Sequence, residues 1–129
     1  MGYIRHHGIL VTGTYGEWAE KAHKEAVRIR DEIGTGIFGP CVAISELAGP
    51  MVNDTWSFAV FPDGSKEGWG ESDAGDSFRE RFMAWLRGQM YEDGSSPLGW
   101  VVVQYGDNEC ETKVIADSDE ARRDPTRPR

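Results

Sequence analysis

Three histidines, His6, His7 and His23, are the side chains best suited to proton transfer or metal ligation near neutral pH. His6 and His7 are adjacent in a strand-like segment, so they point to opposite faces and cannot share one metal ion without a bend in the strand. His23 lies mid-helix beside an apolar stripe, and neither HxxxH nor HExxH occurs, so no zinc pattern is present. A 2H-phosphoesterase needs two His-x-Thr/Ser motifs. His6-His7-Gly8 and His7-Gly8-Ile9 both fail that pattern and there is no second copy. Without GxSxG, no serine triad can be read either.

Two glycine motifs look like phosphate loops. Gly34-Thr35-Gly36-Ile37-Phe38-Gly39 spells GxGxxG but follows a helix, whereas a dinucleotide loop runs from a strand into a helix. It reads as a helix stop and connector. Val11-Thr12-Gly13-Thr14-Tyr15-Gly16 does run from strand to helix, where free amides can hold an anion. It lacks the Lys-Ser/Thr of a P-loop and carries Glu17 in the first turn, so it reads as a cap. No metal or cofactor is implied, and the expectation is a non-enzymatic protein. The catalytic alternative is a small hydrolase with His6 or His7 as general base.

The elements that position these residues follow from pattern. The 129 residues suit one domain able to bury a core without staples. Tyr3 to Thr12 reads as a strand. Thr14 to Glu17 fits a capping box, followed by Trp18, Ala22, Ala26, Ile29 and Ile33 on one helical stripe. Cys41 to Leu47 reads as a second strand, Ala48 to Asp54 as turn chemistry, and Thr55 to Phe61 as a third strand with Trp56, Phe58 and Val60 on one face. A second helix carries Phe78, Phe82, Trp85, Leu86 and Gln89, with Ser77 to Glu80 as its capping box. Trp100 to Tyr105 and Cys110 to Ile115 complete the strands. This order predicts an α+β, ferredoxin-like (βαββαβ) two-layer sandwich. Its antiparallel sheet carries two helices on one face and an extra C-terminal strand. Residues 1–116 form the domain; 117–129, with alternating charges and prolines, are expected to be disordered.

The net charge is −8, and the body carries all of it, with eighteen acids against ten bases outside a neutral tail. That disfavours direct nucleic-acid binding. Cys41 and Cys110 show no CxxC spacing and read as reduced thiols. No run approaches the ~20 apolar residues of a membrane span, and the N-terminus lacks a signal-peptide layout. The expected location is the cytoplasm.

Strand parity assigns His7 to the helix side and places His6, Ser57 and Gln104 on the open face. Lys66, Trp69 and Tyr105 at its margin complete a candidate ligand site. An aromatic ring there could stack on a base while Lys66 and His6 meet a phosphate. The stretch from Pro62 to Ser77 holds 16 residues, five acids and one lysine, and a structureless loop of that length is often functional. Its acids Glu67, Glu71, Asp73 and Asp76, with Glu92 and Asp93, form an alternative acidic face.

Gly2-Tyr3-Ile4-Arg5-His6-His7, Pro62-Asp63-Gly64-Ser65-Lys66-Glu67-Gly68-Trp69, Asp93-Gly94-Ser95-Ser96 and Trp100 through Asp107 together resemble a group of small proteins encoded by phages of actinobacteria. The resemblance spans most of residues 2–115 and brings no catalytic residues with it. It implies a phage origin and life in the host cytoplasm. By analogy with other small phage proteins, the expected role is an accessory, anti-defence one. The chain would bind a host protein or sequester a small nucleotide-like signal. The alternative is an acidic nucleic-acid mimic that occupies a host enzyme. Sheets of this type also pair into homodimers through an edge or an uncovered face.

Overall fold

Alternation along the first strand decides which side of the molecule is filled. In a computed structural model that describes residues 5–36, 39–64, 70–106 and 111–123, β1 (Arg5–Thr14) buries Ile9 and Val11 and turns Leu10 outward. Helix α1 (Gly16–Ile33) follows, with Ala19, Ala22, Ala26 and Ile29 buried. Its small residues let it lie close to the sheet. Gly34, at φ 93°, ends it by donating its N–H to the Arg30 carbonyl, as the expected helix stop requires. A two-residue pair, β2 (Thr35–Gly36) and β3 (Gly39–Pro40), occupies the connector.

β4 (Ala48–Met51), a 3-10 turn (Val52–Asp54) and β5 (Thr55–Val60) come next, then α2 (Gly70–Gly88), β6 (Leu98–Gly106) and β7 (Lys113–Asp117). The five long strands run β4-β5-β1-β6-β7, every neighbouring pair antiparallel. The fold is therefore α+β, with two helices against a five-stranded antiparallel sheet. Phe58, Val60, Trp100, Val102 and Ala116 from the sheet meet Phe78, Phe82 and Leu86 of α2 in one core. Burying each phenylalanine contributes about 2 kcal/mol. Phe58, Phe78 and Phe82 stack in tilted contacts at centroid separations of 5.8–6.3 Å.

Several boundaries differ from the sequence reading. Cys41–Leu47 is not a strand; it touches the sheet through an isolated Ile44–Val60 bridge and backbone bonds to Ala59 and Phe61. The strand lies one step on, at Ala48–Met51, in what looked like turn chemistry. Neither capping box forms. Tyr15 occupies the N-cap of α1 with no side-chain bond, and Ser77–Glu80 lies inside α2, which begins at Gly70 and shortens the long loop by half. Of the segment 117–129 expected to be disordered, residues 117–123 end β7 and make a second 3-10 turn (Glu120–Arg123), tied back by Arg87–Glu120 and Arg123–Asp117 ion pairs, while 124–129 lie outside the described residues.

Candidate functional site: an uncovered sheet face and its corner

The residues predicted to share an open-face site separate. His6 and Tyr105 are register partners on β1 and β6, and their rings lie 5.2 Å apart. Ser57 is on the same face further along, where its hydroxyl bonds Thr12 at 2.9 Å. Gln104 does not belong to this face. It pairs with His7, is only 8% exposed, and lies on the helix-covered side with Trp100 and Val102. Lys66, Trp69 and Glu67 fall outside the described residues, as does Cys110, and the Glu71 side chain is likewise not described.

Gln104 is buried because its amide is satisfied locally. Its nitrogen donates to the Glu111 carbonyl at 2.9 Å, which orients its oxygen toward His7, whose Nε2–H donates to it at 3.3 Å. His7 borders a cleft of about 250 Å³ between α2 and the sheet, with Asp76, Arg79, Arg87, Val102 and Ile115 among its walls. Its arginines already hold carboxylates: Arg79 meets Asp76 at 2.6 Å and Asp63 at 3.4 Å, and Arg87 meets Glu120. His23 is structural, its Nε2 donating to the Ser45 carbonyl at 2.8 Å and its ring edge-on to Phe58.

The acids of the alternative face divide in the same way. Asp73 is exposed on α2, whereas Asp76 holds Arg79. Asp93 builds a turn: hydrogen bonds from the Ser95 hydroxyl and N–H hold its carboxyl below the usual range.

The centre of the face that the helices leave uncovered is apolar and nearly uncharged. Leu10 lies between Ala59 and Val101, and Val103 between Gly8 and Val114. Leu10 is 51% exposed and Val114 54%, while Ile9, Val11 and Val102, pointing the other way, are fully buried. Asp117, opposite Val101, is the one carboxylate that the described register places on this face, and Arg123 already holds it.

At the β4–β5 end of the sheet the backbone is strained. The three non-glycine residues with positive φ among those described are Tyr15 (65°), Asn53 (60°) and Asp54 (54°), and they converge here. Tyr15 donates its N–H to the Asp54 carbonyl at 2.9 Å, and Asp54 Oδ1 accepts from Trp56 Nε1 at 2.9 Å. The Trp56 indole is wedged between two glycines. A Cβ on Gly16 would come within 3.1 Å of it and one on Gly49 within 2.7 Å. Each such residue costs roughly 1 kcal/mol or more, so the surrounding bonds must over-determine the corner. What it displays is apolar: Tyr15 is 67% exposed, Met51 68% and Val52 81%, the three highest values among the described large hydrophobic residues. Nothing in the sequence pattern marked this corner except its Gly-Pro and Asn-Asp pairs.

Compared with protein-family models, with curated proteins and with solved structures, the chain matches none. No helix among the described residues is long and apolar enough to cross a membrane.

Proposed function

We propose that this chain is a non-catalytic accessory protein that binds another protein through the corner formed by Tyr15, Met51 and Val52. The observation that carries the reading is the coincidence of strain and exposure. Three residues with positive φ meet beside Trp56, two of them, Tyr15 and Asp54, tied by hydrogen bonds to each other and to its indole, and the turn presents the most exposed large apolar side chains. Backbone strain concentrates where a fixed conformation is used. Tyrosine and methionine are enriched in protein interfaces, and a pre-formed turn binds with less ordering cost than a flexible one. The resemblance to phage-encoded proteins makes a protein of the bacterial host the expected partner, met in its cytoplasm. We assign the fold, at its finer level, to the ferredoxin-like class. The order β4-β5-β1-β6 with helices after the first and third of these strands in sequence supports it, and β7 is the addition.

The small-nucleotide reading loses support because Gln104 lies on the covered side, away from His6 and Tyr105. The acidic-mimic reading loses support because Asp76 and Asp93 serve the fold itself. The test is quantitative mass spectrometry of proteins retained from host lysate by the wild type and by a Met51→Ser/Val52→Ser double variant. A Lys24→Ala variant, at an exposed position in the middle of α1, serves as control. A host protein lost in the double variant and retained in the control supports the reading; equal retention by all three removes it.

A further inference from the structure

The uncovered face poses a separate question, since Leu10, Val101, Val103 and Val114 lie on it outside the corner. We infer that this face is a symmetric interface with a second copy of the same chain. Two copies would stack sheet on sheet, with their helices outward.

Charge selects the occupant. The chain carries −8, and a basic partner would be recognised through its carboxylates. Yet the only described acid in this face's register is Asp117, which is neutralised by Arg123 at the margin. A surface that must meet its own copy has to be free of like charge, and this one is. It must also leave no polar group stranded when water is excluded. Thr12 and Ser57 already bond each other, and a footprint of about five residues centred on Leu10 leaves His6 and its partner Tyr105 outside it, in water. Under a two-fold axis near Leu10, apolar side chains meet apolar side chains with no new hydrogen bonds required. Sheets packed this way lie ~10 Å apart with strands within about 30°.

Area sets the strength. Four strand spacings of ~4.8 Å and about five residues of ~3.4 Å give a footprint on the order of 350 Å² per copy. Stable complexes bury about 800 Å² per partner, so the pair is weak and reversible, in the micromolar range or above. Salt has a diagnostic sign. Two bodies of −8 repel, so shortening the screening length from about 14 Å at 50 mM to about 4 Å at 0.5 M strengthens the pair.

Sedimentation velocity of the full chain between about 5 µM and 1 mM, at low and high NaCl, tests this. The expected result is a monomer–dimer equilibrium that tightens several-fold with salt and is lost in Val103→Lys. Leu10→Lys, at a half-exposed position, gives the same readout if the first variant misfolds by circular dichroism. A monomer throughout the range, a dimer that persists in both variants, or one that weakens with salt overturns the inference. The corner reading is separable, because Met51→Ser/Val52→Ser leaves this equilibrium unchanged.

Discussion

Gly75 lies against the carboxylate of Asp63: a Cβ added at Gly75 would overlap Asp63 Oδ2 and crowd an Arg79 guanidinium nitrogen 3.2 Å away. A glycine inside α2 is thus explained by what crosses its bare flank. Asp63 reaches over the helix to Arg79, both nearly buried, and with Asp76, the exposed second partner of Arg79, this clamps the segment after β5 onto α2. Alanine would favour the helix by about 1 kcal/mol. Breaking a buried ion pair costs about 3–5 kcal/mol. Gly75→Ala is therefore expected to be net destabilising by about 2 kcal/mol or more in urea unfolding; an unchanged or raised midpoint would remove this account of the glycine.

Gly49, at φ 149°, faces the Trp56 ring from the β4 side. Gly49→Ala both strains the backbone and collides with the indole, so the melting temperature should fall by several degrees, equivalent to about 1–3 kcal/mol. Tyr15→Gly should do the opposite. It relieves a positive φ at an exposed side chain and leaves stability equal or higher by up to about 1 kcal/mol, while removing one anchor of the corner. Thermal melts of the two variants, the first lowered and the second not, check the assignment of strain.

Phe82 is fully buried between Phe58, Phe78 and Trp85. Phe82→Ala should cost about 3–5 kcal/mol and leave the domain marginal or unfolded at 37 °C. Circular dichroism at increasing denaturant reads this directly.

Acid should loosen the two helices and the tail before the core. Hydrogen bonding to Arg81 holds the Glu32 carboxyl below its usual range and ties α1 to α2 at 3.0 Å, and Glu25 is lowered in the same sense by Arg28. Asp117 is pushed up by burial, but Arg123 and the Asp119 N–H bring it below its ordinary value overall. Groups lowered on folding stabilise above their unfolded value and lose that contribution as pH falls through the folded one. The melting temperature should thus be level from pH 7 to about 5 and decline below about 4.5, modestly because these pairs are solvent-exposed. A rise in melting temperature on acidification contradicts these assignments.

Much of the scaffold was legible because it rests on periodicity. The Trp56/Phe58/Val60 alternation and the Ala22/Ala26/Ile29 stripe specify β5 and α1, and both form. Gln104 shows why the site was less legible. The parity reading put it on the open face with His6, whereas in the structure it pairs with His7 and points inward like Trp100 and Val102, and only the His7 and Glu111 partners explain how an amide can be buried there. The early start of α2 was hidden by the Gly70–Gly75 composition, which reads as loop until Asp63 is seen crossing it. The corner was invisible because a tyrosine in a positive-φ conformation has no sequence signature; it is imposed by Asp54 and Trp56 from another part of the chain.

The central claim is that Tyr15, Met51 and Val52 form the contact surface for a protein partner. The most direct measurement is the rate of peroxide oxidation at Met51, by peptide mass spectrometry, for the chain alone and in complex with the host protein retained in the lysate experiment. Met51 is well exposed and Met90, just beyond the C-terminus of α2, only partly so, which makes Met90 an internal reference. The account predicts oxidation of Met51 slowed several-fold in the complex, with Met90 unchanged. Equal Met51 rates with and without the partner would contradict it.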